Sequence, residues 1–283
     1  MTSLKERILH RLFELRGAIK WTVYTLLLVN FGYYFWEEWV IATHTLRAGG
    51  TLLEWTTAFA ASIDEFAWFA LLFLFELETN VLSDEAFTPR VEKTLHVARI
   101  LGYLFLAHGI YSYSLYLVQL ENEVTEAPEV ASLCEFVDEE ISFASNMAYT
   151  VIDSDNCAGL SNASVFYQLV VEDVVTDARG LRIEQELAWA DLIEAIAWLL
   201  IVLAIEIQVR LQNRDITGGT LMRVAGISAS LLYGVLFLIA GYWALRGQWL
   251  YVWDEILWIG GFAVIELNVA EWREELIEQE APE

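Results

Sequence analysis

Basic residues are scarce. The 283-residue chain has 16 Lys and Arg against 40 Asp and Glu, a formal net charge of −24. That balance argues against a nucleic acid or an anionic lipid as partner, since both need basic patches. An acidic field attracts cations, or serves solubility at high salt. Histidine is sparse too. His10, His44, His96 and His108 are scattered, which argues against paired haem ligation, and no E-x-x-H spacing supports a di-iron bundle. The lone His108, inside an apolar run, reads as a hydrogen-bonded core residue. No Walker loop, G-x-G-x-x-G, G-x-S-x-G or H-E-x-x-H occurs. No cofactor is therefore expected, no metal is specified, and the chain is not read as an enzyme. No small-residue cleavage site follows the first apolar run, so no cleavable signal peptide is expected.

Apolar residues are abundant. They make up 57% of the chain, and the mean hydropathy is +0.43. Several runs of about twenty apolar residues place the chain among all-α integral membrane proteins. Six spans are expected, roughly 20–39, 55–77, 97–118, 187–209, 221–245 and 250–270. Residues 1–19 read as an amphipathic cytoplasmic helix, with Leu4, Ile8, Leu12 and Leu15 on one face. The turn Arg246-Gly247-Gln248 is so short that the last two spans must form an antiparallel hairpin. Residues 121–185 are too polar to span, although Phe166–Val175 is apolar enough to lie on a leaflet. An acidic tail, 271–283, closes the chain.

Orientation follows from the few basic residues. With the N-terminus inside, Lys5, Arg7, Arg11, Arg16, Lys20, Arg90, Lys93, Arg99, Arg210, Arg214, Arg223 and Arg273 are cytoplasmic; Arg47, Arg179, Arg182 and Arg246 are outside. That asymmetry obeys the positive-inside rule, in a plasma or bacterial inner membrane. It places the acidic 121–185 segment on the extracytoplasmic side. Cys134 and Cys157, the only cysteines, both lie there and are expected to form a disulfide. Asn162-Ala-Ser164 in the same segment is a glycosylation sequon, and Asp153-Ser-Asp155-Asn156 lacks the glycine and distal Glu of a calcium loop.

One pattern occurs three times. Asp64-x3-Trp68-x7-Glu76 matches Glu194-x3-Trp198-x7-Glu206 and Asp254-x3-Trp258-x7-Glu266. A weaker echo, Gly32-Tyr33-Tyr34, Gly109-Ile110-Tyr111 and Gly241-Tyr242-Trp243, marks the odd-numbered spans. The repeating unit is then a helical hairpin, and three hairpins of like topology predict a pseudo-threefold bundle.

At about 100° per residue, the Trp of each motif lies about 40°, and the second acid about 120°, from the first acid. Glu65, Asp191 and Glu255 fall in the same sector. Each even-numbered span thus carries one acidic stripe on an otherwise apolar helix. An ionised carboxylate facing lipid is costly, so the stripes are expected to face one another, a water-filled pathway or a partner. Two carboxylate layers are predicted, about 18 Å apart at 1.5 Å per residue. The outer holds Asp64, Glu65, Asp191, Glu194, Asp254 and Glu255; the inner holds Glu76, Glu206 and Glu266. Trp68, Trp198 and Trp258 would form a constriction between them. No basic residue lies at comparable depth, so no internal counter-ion is expected.

These features predict a cation-conducting channel or carrier, with an inorganic cation or a proton as its cargo. The competing expectation is a structural or regulatory membrane subunit whose acidic faces pair with basic residues of a partner, or with further copies of the chain in a homo-oligomer. A membrane enzyme using a carboxylate pair is the weakest of the three.

Overall fold

The computed structural model describes residues 4–262 apart from 78–81, 83–87, 128–129, 172, 213, 215 and 217; the side chains of residues 4–20 and of Glu76 are also outside the description. The chain is mostly helical with one small sheet. Helix α1 runs unbroken from Leu4 to Thr45, so the expected surface helix and first span are one continuous element. Helices α2 (Leu52–Ala58), α3 (Ala60–Glu76) and α4 (Pro89–Asn122) follow. After the sheet region come α6 (Ala178–Gln212), α7 (Thr220–Arg246) and α8 (249–262). Among the described residues, α4, α6 and α7 are each long and apolar enough to cross a membrane, and α2 with α3 makes a fourth if that bent pair is one span.

Local chemistry explains most helix ends. Thr51 caps α2 in a capping box: its hydroxyl accepts from Glu54 N at 3.3 Å, and Glu54 Oε2 accepts from Thr51 N at 2.6 Å. Those bonds hold the exposed Glu54 carboxyl below its usual range. Thr88 caps α4 and Pro89 opens it, a position where the missing N–H costs nothing. Gly247 ends α7 in the left-handed conformation that glycine adopts freely. With Gln248 it forms the expected tight turn, and Trp243 packs on Tyr251 across it at 4.9 Å.

The second span departs from expectation. It is not one helix over 55–77 but two, bent by 73° at Phe59. A carboxylate of α1 stands at the break. The Glu38 carboxylate accepts from Ala61 N at 2.7 Å, Ser62 N at 3.1 Å and Ser62 Oγ at 2.5 Å. It thereby occupies the N-terminus of α3, where a negative charge also opposes the helix dipole favourably.

The segment after α4 carries a small sheet. Strands β1 (Thr125–Glu126), β2 (Ser142–Ser145), β3 (Ala148–Val151), β4 (Phe166–Gln168) and β5 (Val174–Asp177) form a sheet in the order β1-β4-β5-β2-β3, antiparallel except for β2 with β5. The expectation that Phe166–Val175 lies on a leaflet is overturned. Phe166 is fully buried beside Leu133, Phe143, Ile152 and Val175, so its apolar character serves a protein core. A second cluster joins Ala144, Leu169 and Val174 to Leu117 and Leu120 of α4 and Ala188 of α6, seating the sheet on those two helices. His44 at the end of α1 fastens to the same sheet. Its Nδ1 lies 2.8 Å from Ser142 Oγ, to which Arg47 Nη2 donates at 2.7 Å. Partial burial, with Arg47 alongside, lowers the His44 pKa. Asp153 and Asn156 close a turn on their own backbone: Asp153 Oδ1 accepts from Asp155 N and Asn156 N at 2.9 Å each.

The disulfide is present as expected. Cys134 and Cys157, 23 residues apart with Cα atoms at 4.9 Å, tie the short turn Leu133–Phe136 to α5 (Cys157–Leu160). Closing a loop of that length stabilises by about 3 kcal/mol in the chain-entropy account. Replacing both cysteines by serine is therefore expected to lower the stability of the sheet domain by about that amount, read as a shift in its unfolding transition under non-reducing conditions.

Two compact units emerge from the packing: residues 33–195 form one, and residues 1–32 with 196–283 the other. Each is described by itself below.

Candidate functional site

Within the first unit, Tyr113 of α4 feels the charge of acidic side chains from three other helices. Asp64 of α3, Asp191 and Glu194 of α6, and Glu38 of α1 all lie within electrostatic range of its hydroxyl, with Asp64 the strongest influence. Asp191 in turn feels Glu194, Glu184 and Glu37. Three of the predicted residues, Asp64, Asp191 and Glu194, are thus brought together. Three further groups, Glu37, Glu38 and Tyr113, join them. Glu65, also predicted, is buried on α3 beside Asp64.

The backbone permits this approach through glycine. At Gly109 of α4 a Cβ atom would stand 2.8 Å from Asp64 Oδ1, and at Gly102, two turns earlier, 2.8 Å from Leu71 Cδ2. Two glycines seven residues apart form a seam along which α3 lies close against α4, and the Asp64 carboxylate occupies the space a side chain would fill. Only this one of the three repeated glycines has such a contact: a Cβ at Gly32 or Gly241 would meet nothing within 4 Å. Asp64 is oriented from its own helix, where Trp68 Nε1 donates to Oδ2 at 3.1 Å.

The second unit holds another acidic group. Asp254 and Glu255 of α8 are 5% and 1% exposed, deeply buried for carboxylates. The Asn30 side-chain amide of α1 donates to Asp254 Oδ1. Trp198 Nε1 of α6 donates to Glu255 Oε2 at 3.2 Å. Tyr233 of α7 meets the Trp198 ring edge-on at 6.2 Å, and Phe262 packs between Trp198 and Trp258. The tryptophan of one motif copy therefore serves the acid of the next. Trp68, Trp198 and Trp258 are all nearly buried, and the first two act as hydrogen-bond donors to carboxylates.

Glu206 corrects one expectation. It has a counter-ion, Arg210, whose Nη2 lies 2.5 Å from its Oε1 one turn on. Both side chains are partly exposed, and such an i, i+4 pair contributes at most about 0.5 kcal/mol. The other two members of the expected inner layer, the Glu76 side chain and Glu266, lie outside the described residues, as does the acidic tail.

No protein-family model matches this chain, and comparison with curated proteins and with solved structures finds no match.

The site must therefore be read from its chemistry. Among the described residues, no three His, Cys, Asp or Glu side chains converge as a site for a metal ion. Trp68 Nε1 donates to Asp64, and backbone and hydroxyl groups of α3 donate to Glu38.

The sheet domain contributes a second element. Glu184, in the charged opening turns of α6 before the apolar run begins at Leu187, is 4% exposed. Its carboxylate accepts from the Tyr116 hydroxyl and, at 3.5 Å, from Met147 N in the β2–β3 turn. Tyr116 is also hydrogen-bonded to Tyr149. Burial raises the Glu184 pKa to about 7 against the lowering effect of those hydrogen bonds, and burial likewise raises that of Tyr149. The spacing Glu184-x6-Asp191-x6-Trp198 put Glu184 on the acidic face of α6, a signal present in the sequence.

Proposed function

We propose that this chain is a cation-conducting membrane channel or carrier whose pathway is lined by carboxylates of the second, fourth and sixth spans. The observation that carries the reading is that Asp64, Asp191, Glu194 and Glu38 all act on Tyr113 through their charge, and that residues 55–77 and 187–209, which carry the first three, contain no Lys or Arg. Intramembrane acids are costly and are retained where they move or bind positive charge. The broken second span supports it. Interrupted helices occur at membrane depth where the freed backbone is covered by protein or lines a polar pathway. In this reading α1 and α8 complete the six spans as three hairpins, both termini are cytoplasmic, and the sheet domain is extracytoplasmic.

The alternative is a structural or regulatory subunit whose acidic faces meet a partner. It needs those faces exposed. Glu65, Asp254 and Glu255 are each less than a tenth exposed within a single chain, which favours the pathway.

Purified protein in liposomes tests the proposal. Cation flux is expected from the wild type. Asp64→Asn and Glu194→Gln are each expected to reduce it at least tenfold, while the protein elutes and melts as the wild type does. Absence of flux for K⁺, Na⁺, Ca²⁺ and H⁺ alike, from folded protein, would overturn the pathway reading and favour the partner-binding one.

A further inference from the structure

Helix α2, before the break, keeps its apolar side chains outside the protein. None of its seven residues is buried. Leu52 is 82% exposed, and Leu53 and Trp55 are more than a third exposed. At about 100° per residue these three side chains share one side of the helix, and Glu54 lies opposite. Glu54 is exposed and closes the capping box at the start of α2. The partly covered residues are Thr56, Thr57 and Ala58, at the end that meets α3. The exposed apolar surface continues onto α1. The Phe59 ring at the break packs with Trp55 at 6.0 Å, Phe35 at 5.4 Å and Trp39 at 6.4 Å. Phe35 and Trp39 are each about half exposed.

We propose that α2 lies along the bilayer surface, with its Leu52, Leu53 and Trp55 side sunk into the boundary between phospholipid headgroups and acyl chains. Direction is the first argument. The 73° bend turns α2 away from the line of α3. Helix α3 has 17 residues, about 25 Å at 1.5 Å per residue, which nearly matches a hydrocarbon core of about 30 Å without help from α2. Level is the second. His44, at the end of α1, is bonded to Ser142 of the sheet, and only the link 46–51 separates α1 from α2. Helix α2 therefore starts level with the foot of the sheet. Chemistry is the third. Residues 48–77 contain no Lys or Arg, so anionic headgroups are not what holds α2. Leu and Trp on one side, with Glu on the other, suit the interface of neutral lipid, where an indole has an apolar body and a polar N–H to place.

A helix of this kind sinks about 5–10 Å into the lipid, so the break at Phe59 falls at shallow depth in the leaflet beside the sheet. The amides of Ala61 and Ser62 just past it donate to Glu38, which covers them as backbone at that depth requires. Asp64 lies five residues past the break, about 7.5 Å further along α3. The lipid contact of α2 thus sets the depth of the carboxylate that stands against Gly109. The proposal goes beyond the pathway reading and holds whatever the chain conducts.

The experiment places one nitroxide at a time on the full chain in phosphatidylcholine liposomes, through Leu52→Cys, Leu53→Cys or Trp55→Cys. The native cysteines are joined to each other and take no label without reductant. Power saturation compares collisions with oxygen, which concentrates among acyl chains, and with a water-soluble nickel complex. Oxygen is expected to dominate at all three positions, at a depth of about 5–10 Å below the lipid phosphates. Asp138→Cys, at an exposed position, serves as the water reference. Should the cysteine variants fail to fold, Trp55→Phe keeps an aromatic ring. The emission that it removes is expected to be quenched more by phosphatidylcholine brominated near the headgroup than near the chain end. Labels that meet nickel rather than oxygen would put α2 in water. Labels shielded from both would put it under protein, and labels at the bilayer centre in a re-entrant loop. Each of these would overturn the proposal, as would stronger quenching from the chain end. Cation flux in the same liposomes keeps the two readings apart: labels in lipid without flux would leave this proposal standing and overturn only the pathway.

Discussion

Replacing Glu38 by leucine is expected to destabilise the protein by about 4 kcal/mol, counting three stranded donors at 1–3 kcal/mol each and subtracting the desolvation cost that the lost carboxylate no longer imposes. The donors are Ala61 N, Ser62 N and Ser62 Oγ, all of which give their protons to Glu38. They sit at the start of α3, two and three residues past the 73° break at Phe59. Elsewhere such amides turn to water or to a local cap, but no side-chain cap serves this end of the helix. Glu38→Gln keeps one acceptor oxygen and is expected to cost about 1–2 kcal/mol. Chemical or thermal unfolding in detergent gives both values. Equal, small losses for the two variants would mean that the break is held by something other than this carboxylate. If the chain conducts cations as proposed, the same substitution should also reduce flux, because Asp64 lies two residues beyond Ser62.

Glu38 also shows where sequence reading stopped. Tyr33, Tyr34, Trp36 and Trp39 form an aromatic cluster that suits a membrane interface, and Glu37 and Glu38 lie inside it. Its acids drew no attention because they belonged to no repeat. The break at Phe59 had no local mark either. Thr56-Thr57-Ala58-Phe59-Ala60-Ala61 contains no Gly or Pro, and the carboxylate that stands at the bend comes some twenty residues earlier. Tertiary capping of this kind is not visible to periodicity. The sheet escaped for another reason: its strands are two to four residues long, too short for alternation to register. By contrast, the long apolar helices, the Gly247 turn and the disulfide followed directly from composition and spacing, because each is fixed by local chemistry or by there being no other cysteine to choose. The candidate site was half legible. The acid–Trp repeat pointed to Asp64, Asp191 and Glu194, while Tyr113 stayed hidden on a helix that carries no acid of its own at that depth.

Asn30→Ala is expected to cost about 3 kcal/mol, the loss of a hydrogen bond to a buried carboxylate together with a small cavity. Asn30 is 2% exposed and donates to Asp254, itself 5% exposed. Without that amide the carboxylate keeps its burial and loses a hydrogen bond to the charged form, worth about 1.5–3 kcal/mol, and a small cavity adds to the loss. Asp254→Ala alone should cost less, since it strands a neutral amide rather than a charge. The double variant removes both and should fall short of the sum of the singles by about 2 kcal/mol. That coupling, measured by unfolding in detergent, tests the charge state as well as the contact. An ionised Asp254 gives strong coupling at neutral pH that fades as the solution is acidified and the carboxylate takes up a proton. A carboxyl already protonated gives weak coupling at both. The first result would mean that local hydrogen bonding keeps the charge on Asp254; the second would mean that the buried carboxyl is protonated at neutral pH.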